Sequence, residues 1–223
     1  MTEKLNIALI GCGSWGKNIA RNLHKIGTLA CIYDTDKNLL QKLNKNFNLP
    51  TYSINDIFEN EKIQALVIAS AAKTHKDLAE EALQNNKDVF IEKPFCLSLS
   101  DATNLSKLAI KKNRVLMVGH LLNYHNAFIK MKDLIKEDKI GKIKNIRAHR
   151  LALGAIRSHE SVVYDLAAHD ISMILSIIQD LPVEISTHSI HHNSNIGPDA
   201  ISVKLSFKAG TTALINCDWM CPY

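Results

Sequence analysis

The 223-residue chain is short of several features, and each shortage excludes a class. Nowhere is there an apolar run of the roughly 18 residues needed to span a membrane. The five cysteines (Cys12, Cys31, Cys96, Cys217, Cys221) are odd in number and scattered, and none forms Cys-x-x-Cys. They read as reduced cytosolic thiols, not disulfides or zinc ligands. His188, His191 and His192 fit no strong metal spacing and have no carboxylate cluster beside them, so they read as surface residues and no metal centre is expected. There is no internal repeat and no low-complexity segment. The net charge of +5 is mild and the Lys/Arg residues are dispersed, so no nucleic-acid or membrane partner is expected. Lys4 before an apolar run resembles the start of a signal peptide. That run is short, enters a glycine turn and lacks an Ala-x-Ala-like site, so a cytoplasmic chain is expected.

What is present is enough to fold: 46% hydrophobic and 22% charged residues. The organising stretch is the opening. The run Leu5–Ile10 flows into Gly11-Cys12-Gly13-Ser14-Trp15-Gly16, and Ile19, Ala20, Leu23 and Ile26 then share one helical face. Strand, glycine turn and helix in that order form the dinucleotide fingerprint. Gly11 makes the tight turn, Gly13 admits a pyrophosphate, and Gly16 lets helix and strand pack closely. A helix N-terminus offers N–H donors and partial positive charge to phosphates. Leu29–Tyr33 is a second strand ending in Asp34, near the offset expected of an acid that binds the adenosine ribose.

Strands and helices alternate to about residue 120. A short strand is expected at Thr51-Tyr52, buried strands at Ala65–Ala69, Asp88–Ile91 and Val115–Val118, and a helix capped by Ser100 that runs to about Lys112. The expected fold is α/β: a doubly wound parallel Rossmann sheet over residues 1–120. An α+β domain with a mainly antiparallel open sheet follows over residues 121–223. There, helices are expected at Ala127–Lys136 and Tyr164–Gln179 and strands around Ile143–Leu153, Val183–His188, Ala200–Phe207 and Thr211–Trp219, with a polar loop over 154–161. Ile201, Val203, Leu205 and Phe207 alternate with Ser202, Lys204 and Ser206, the pattern of a half-buried strand.

Two places carry candidate chemistry. Lys93 follows a core strand between Glu92 and Pro94, where open α/β sheets bind ligands. It is either a surface lysine or one that hydrogen-bonds a substrate hydroxyl and handles its proton. Asp165 and His169 are four apart on a helix. With Ser172 and Ser176 they are either a wet face or a pair in which Asp165 orients His169.

In order, these motifs resemble the glucose–fructose oxidoreductase / inositol dehydrogenase / MocA oxidoreductases. The resemblance rests on Gly11-x-Gly13-x-x-Gly16, Asp34, the Ala69–His75 stretch, Glu92-Lys93-Pro94, Gly119-His120 and Asp165-x-x-x-His169-Asp170. It implies NAD, with NADP disfavoured, held by the first domain through Gly11, Gly13, Ser14, Trp15, Gly16, Asp34, Ala69, Ser70, His75, Glu92 and Lys93. It also implies a sugar or polyol alcohol oxidised to a ketone, with Lys93, Asp165 and His169 as the catalytic group. His120-Leu121-Leu122-x-Tyr124-His125 and Arg150-Leu151-x-Leu153-Gly154-x-x-Arg157 resemble the branch that oxidises C3 of UDP-N-acetylamino sugars. This adds His120 and Arg157, beside Lys93 and His169, as substrate contacts. The sequence departs from that branch at Asn126, Ala152 and Tyr164. The alternatives are an inositol or free-sugar dehydrogenase, or a non-catalytic NAD-binding interaction module. Relatives in this family continue past the position of Tyr223. The second domain is therefore expected to be short at its C-terminus. Its last strand's apolar face (Ala213, Ile215, Cys217, Trp219) is expected to need a cover and its edge a partner, giving a weakly protected strand and a homo-oligomer through the sheet.

Overall fold

The computed structural model describes residues 4–151, 153, 161–191 and 197–221. The chain divides into two compact units, Met1–Gly119 and His120–Tyr223.

The first unit alternates strands and helices: β1 (Ile7–Ile10), α1 (Gly16–Ile26), β2 (Leu29–Tyr33), α2 (Lys37–Phe47), α3 (Ile54–Glu59), β3 (Ala65–Ile68), α4 (His75–Gln84), β4 (Asp88–Glu92), α5 (Leu99–Lys112) and β5 (Leu116–Gly119). The five strands are parallel in the order β2-β1-β3-β4-β5. The chain order reverses beside β1, which opens a crevice at the carboxyl ends of β1 and β3. The continuous apolar runs follow from burial on both faces. Ala8, Ile10, Leu66 and Ile68 face one core with Ile57, Ala79 and Leu83, while Leu9 and Val67 face the other with Ile32 and Leu43. Each such Leu or Ile side chain contributes about 1.5–3 kcal/mol by burial.

Helix starts follow side-chain oxygens. Asp36 Oδ1 accepts from the N–H groups of Asn38 and Leu39. Ser53 and Asp56 form a reciprocal capping box at α3. Two expectations need correction here. The cap of α5 is Ser98, whose Oγ accepts from Asp101 N at 3.1 Å, and Ser100 falls inside the first turn. Thr51-Tyr52 is not a strand. Only two residues separate Pro50 from the Ser53 cap, too few to pair with a sheet edge, and Tyr52 packs on the core instead.

The second unit contains α6 (Asn126–Lys136), β6 (Asn145–Leu151), a π-helical turn (Val163–Ala167), α7 (Ala168–Ile178), β7 (Pro182–Ile190), β8 (Ala200–Phe207) and β9 (Thr212–Asp218). The sheet order is β6-β9-β8-β7, antiparallel except for the parallel pair β6/β9. Ile201, Val203, Leu205 and Phe207 are buried, as their alternation predicts.

The structure corrects three expectations for this unit. The helix expected from Tyr164 is not α throughout, because Ala168 N–H donates to Val163 O, a π-type bond. β9 is not an edge strand; it lies inside the sheet between β6 and β8. Its apolar face is already covered: Ala213, Ile215, Cys217 and Trp219 are 0–3% exposed. They pack with Val162, Ala167 and Ile174. The expected polar loop lies outside the described residues except for Ser161.

Candidate active site

In the first unit the glycine turn has the geometry a dinucleotide requires. Gly11 has φ +92°, and a Cβ there would lie 2.5 Å from Ser70 N and 2.6 Å from Ala69 C. A Cβ on Gly16 would lie 2.1 Å from Gly11 O, so glycine alone permits this approach of α1 to β1. A Cβ on Gly13 would meet nothing within 4 Å, so the turn is open there. Among the described residues, the first turn of α1 has neither a side-chain cap nor an acidic residue, so no acid opposes an anion at its positive end.

A cleft of about 580 Å³ is lined by Gly11, Gly13, Asp34, Ala69, Ser70 and Lys73, among others. Asp34 Oδ2 accepts from Cys12 N at 2.6 Å and Oδ1 from Asp36 N at 2.9 Å. A carboxylate has about four lone-pair directions, so two remain for ribose hydroxyls. Burial, with Asp34 nearby, pushes the Cys12 thiol up to about 12, which removes it as a nucleophile. Ser14 lies on the other side of the turn, in a groove with Lys17, Arg21 and Lys42.

His75 is 1% exposed and lies beneath the loops. Nδ1 is 2.8 Å from Pro94 O and Nε2 3.1 Å from Ser70 O. His75 thereby joins the β3–α4 loop to the Glu-Lys-Pro turn. Ser70 Oγ and Thr74 Oγ1 are 2.7 Å apart. At the end of β4, Glu92 Oε1 accepts from Trp15 Nε1 at 2.8 Å, and Glu92 Oε2 from Lys93 N at 3.3 Å. Lys93 is half-buried. The Lys93–Pro94 peptide is cis.

In the second unit, Asp165 lies in the π turn, and its Oδ2 accepts from Trp219 Nε1 at 3.1 Å. His169 follows in the first turn of α7, and its carbonyl accepts from Ser172 Oγ at 2.8 Å. Asp165, His169, Ser172 and Ser176 are all partly buried. The neighbouring Asp170 is 6% exposed and accepts from Arg150 Nε at 2.9 Å and Nη2 at 2.8 Å. The Asp170 hydrogen bond holds the Arg150 guanidinium above its ordinary pKa. His120 Nδ1 is buried without a hydrogen-bond partner among the described residues, and burial pulls its pKa below the ordinary histidine value. Arg157 lies outside the described residues, as does His192. His188 and His191 are exposed. No group of three or more His, Cys, Asp or Glu among the described residues is placed to hold a metal. No helix among them is long and apolar enough to cross a membrane.

A family profile described as "Oxidoreductase family, NAD-binding Rossmann fold" matches residues 5–120. The profile of the GFO/IDH/MocA C-terminal domain matches residues 128–223. The chain belongs to the Gfo/Idh/MocA oxidoreductases. Among curated members it is 26% identical to myo-inositol 2-dehydrogenase of Thermotoga maritima, over 95% of this chain and 68% of that protein. It is 29% identical to 2,7-anhydro-N-acetylneuraminate hydratase of Escherichia coli, over 66% of this chain and 40% of that protein. The chain therefore spans well under two thirds of some relatives. The structure of UDP-N-acetylglucosamine 3-dehydrogenase from Acidithiobacillus ferrooxidans superposes with a TM-score of 0.89 at 23% identity, covering 100% of this chain and 72% of that one. GenD2 from gentamicin A biosynthesis, in complex with NAD, superposes with a TM-score of 0.92 at 21% identity, covering 100% of this chain and 68% of that one. At these identities the likeness is one of fold.

Within this Gfo/Idh/MocA chain, three elements have no individual signature in the sequence: the Arg150–Asp170 pair, the Trp219–Asp165 bond and the Trp15–Glu92 bond. Arg150 and Asp170 are visible only as members of longer motifs. Trp219 looks like a packing residue, and Trp15 like a cofactor contact alone, until their indole nitrogens are placed.

Proposed function

We propose that the chain binds NAD in its first unit and acts on a secondary alcohol of a sugar nucleotide, with C3 of a UDP-N-acetylamino sugar as the favoured position. The observation that carries this reading is the glycine turn, open at Gly13 and bordered by Asp34, in the same unit that presents Lys93 at the carboxyl end of β4. The residues fit the cofactor. The α1 N-terminus and the turn suit a pyrophosphate, and the spare lone pairs of Asp34 suit ribose hydroxyls. When bound, NAD would supply the hydride acceptor.

The remaining chemistry belongs to the protein. Lys93 is proposed to hydrogen-bond the reacting hydroxyl and stabilise its developing negative charge. His169 is proposed to take the hydroxyl proton, and Asp165 to orient it. Trp219 Nε1 donates to Asp165 Oδ2, which helps to hold the carboxylate in place for that role. His120, kept neutral by burial and with Nδ1 unsatisfied, is proposed as a substrate hydrogen-bonding group. The similarity to the Acidithiobacillus enzyme supports the C3 assignment, and the similarity to the Thermotoga enzyme favours inositol as the second reading.

The test is a turnover screen with NAD against UDP-N-acetylamino sugars, free sugars and inositols, read by absorbance of the reduced cofactor. Turnover confined to the nucleotide sugars is expected. Turnover on inositol alone would replace the substrate assignment. NAD binding without turnover on any of them would favour a binding module.

A further inference from the structure

Trp15 is the residue before α1, yet its indole reaches the far side of the crevice. β3 lies between β1 and β4. At about 4.8 Å per strand, the Trp15–Glu92 bond bridges ends roughly 10 Å apart. The bond is short, at 2.8 Å, and runs from a neutral donor to a carboxylate. Glu92 is confined from the other side as well. A Cβ on Gly119 would lie 3.0 Å from Glu92 Cδ and Oε1 and from Phe90 Cζ, so only glycine leaves the carboxylate where it is. The second Glu92 oxygen accepts from the Lys93 N–H. At the other end, the Trp15 carbonyl accepts from Asn18 N at 2.8 Å and Ile19 N at 3.3 Å, which ties the indole to the first turn of α1. Trp15 is nonetheless 45% exposed, so burial alone does not account for its position.

We propose that Trp15 is a positioning residue: its indole N–H holds Glu92, and through it the approach to Lys93, in register with the pyrophosphate turn. This rests on the dinucleotide reading above. It makes Trp15 a strut between the phosphate end and the nicotinamide end of the crevice, so its loss is felt by a ligand that spans both.

The test is calorimetry with NAD and with ADP-ribose, which lacks the nicotinamide, on native chain, Trp15→Phe, Glu92→Ala and the double variant. Phe keeps the ring and deletes the N–H. A hydrogen bond to a charged group is weakened where its donor is half-exposed, so Trp15→Phe should weaken NAD about 5- to 10-fold. On this proposal ADP-ribose should change less than about 2-fold, because the strut acts on the nicotinamide end, which that ligand lacks. The double variant should bind NAD no more weakly than Glu92→Ala. Equal losses for both ligands, additive losses, or no loss would overturn the strut while leaving the dinucleotide site in place. A native chain that binds neither ligand would overturn both. Gly119→Ala displaces Glu92 without touching Trp15 and guards against misfolding of Trp15→Phe. It should lower NAD affinity relative to ADP-ribose, and an unchanged ratio would also overturn the proposal.

Discussion

Removing either partner of the Arg150–Asp170 pair should destabilise the second unit, and by unequal amounts. Arg150 on β6 lies directly opposite Cys217 on β9, and Asp170 in the first turn of α7 accepts two bonds from the guanidinium. The pair therefore fastens α7 to β6, an edge strand of the sheet. The partners differ in exposure: the Arg150 side chain is 33% exposed and that of Asp170 8%. Asp170→Ala leaves a guanidinium that water can reach, at a cost of about 1.5–3 kcal/mol. Arg150→Ala strands a buried carboxylate beside a thiol, at a cost of about 3–5 kcal/mol. Replacing both with apolar residues, Arg150→Met with Asp170→Leu, should cost less than the sum of the single changes. The assay is urea unfolding followed by Trp219 emission in a Trp15→Phe background, in which Trp219 is the one remaining tryptophan. A larger loss for Asp170→Ala than for Arg150→Ala, or strict additivity in the double variant, would refute the reasoning.

Four further outcomes are expected. Asp34→Ala should weaken NAD and narrow its advantage over NADP, since a carboxylate that accepts from ribose hydroxyls also repels a 2′-phosphate. Comparable affinity for both in the native chain by calorimetry would contradict this. Lys93→Met should retain NAD binding and lower turnover at least ~10²-fold, the scale of a lost acid–base group; near-native turnover would make Lys93 structural. Gly16→Ala should abolish measurable NAD binding, because its Cβ would lie 2.1 Å from Gly11 O and α1 would have to move. Unaltered affinity would show that the turn accommodates it. By hydrogen exchange, the amides of β9 should be as slow as those of β8 and slower than the outward N–H groups of edge strand β7; fast exchange throughout 212–218 would contradict the interior placement.

The parts of the fold that were legible in the sequence are those in which one segment decides its own state. Leu29–Tyr33 and Ala200–Phe207 end where expected, because the apolar run stops at a loop residue or the alternation breaks there. Alternation reports which face is buried but not which strand lies alongside. β9 and its parallel partner β6 are far apart in sequence, and nothing within Thr212–Asp218 points to β6. An apolar face that appears to lack a cover therefore proves to be packed against α7 and the turn before it. The π turn was invisible for a related reason: helical periodicity over Tyr164–Gln179 averages across one irregular turn.

The same limit governs the candidate site. Asp165 and Asp170 flank His169, and spacing alone favours Asp165 as its partner because four residues is one helical turn. The spacing does not reveal that Asp170 turns to the sheet. There the guanidinium of Arg150 balances its charge through two hydrogen bonds, so Asp170 supports the fold. Asp165 accepts from the Trp219 indole, a neutral donor, and its charge also reaches the Arg150 guanidinium. The two tryptophans thus have parallel roles, Trp15 on Glu92 in the first unit and Trp219 on Asp165 in the second. Each fixes an acid beside a residue proposed for proton handling.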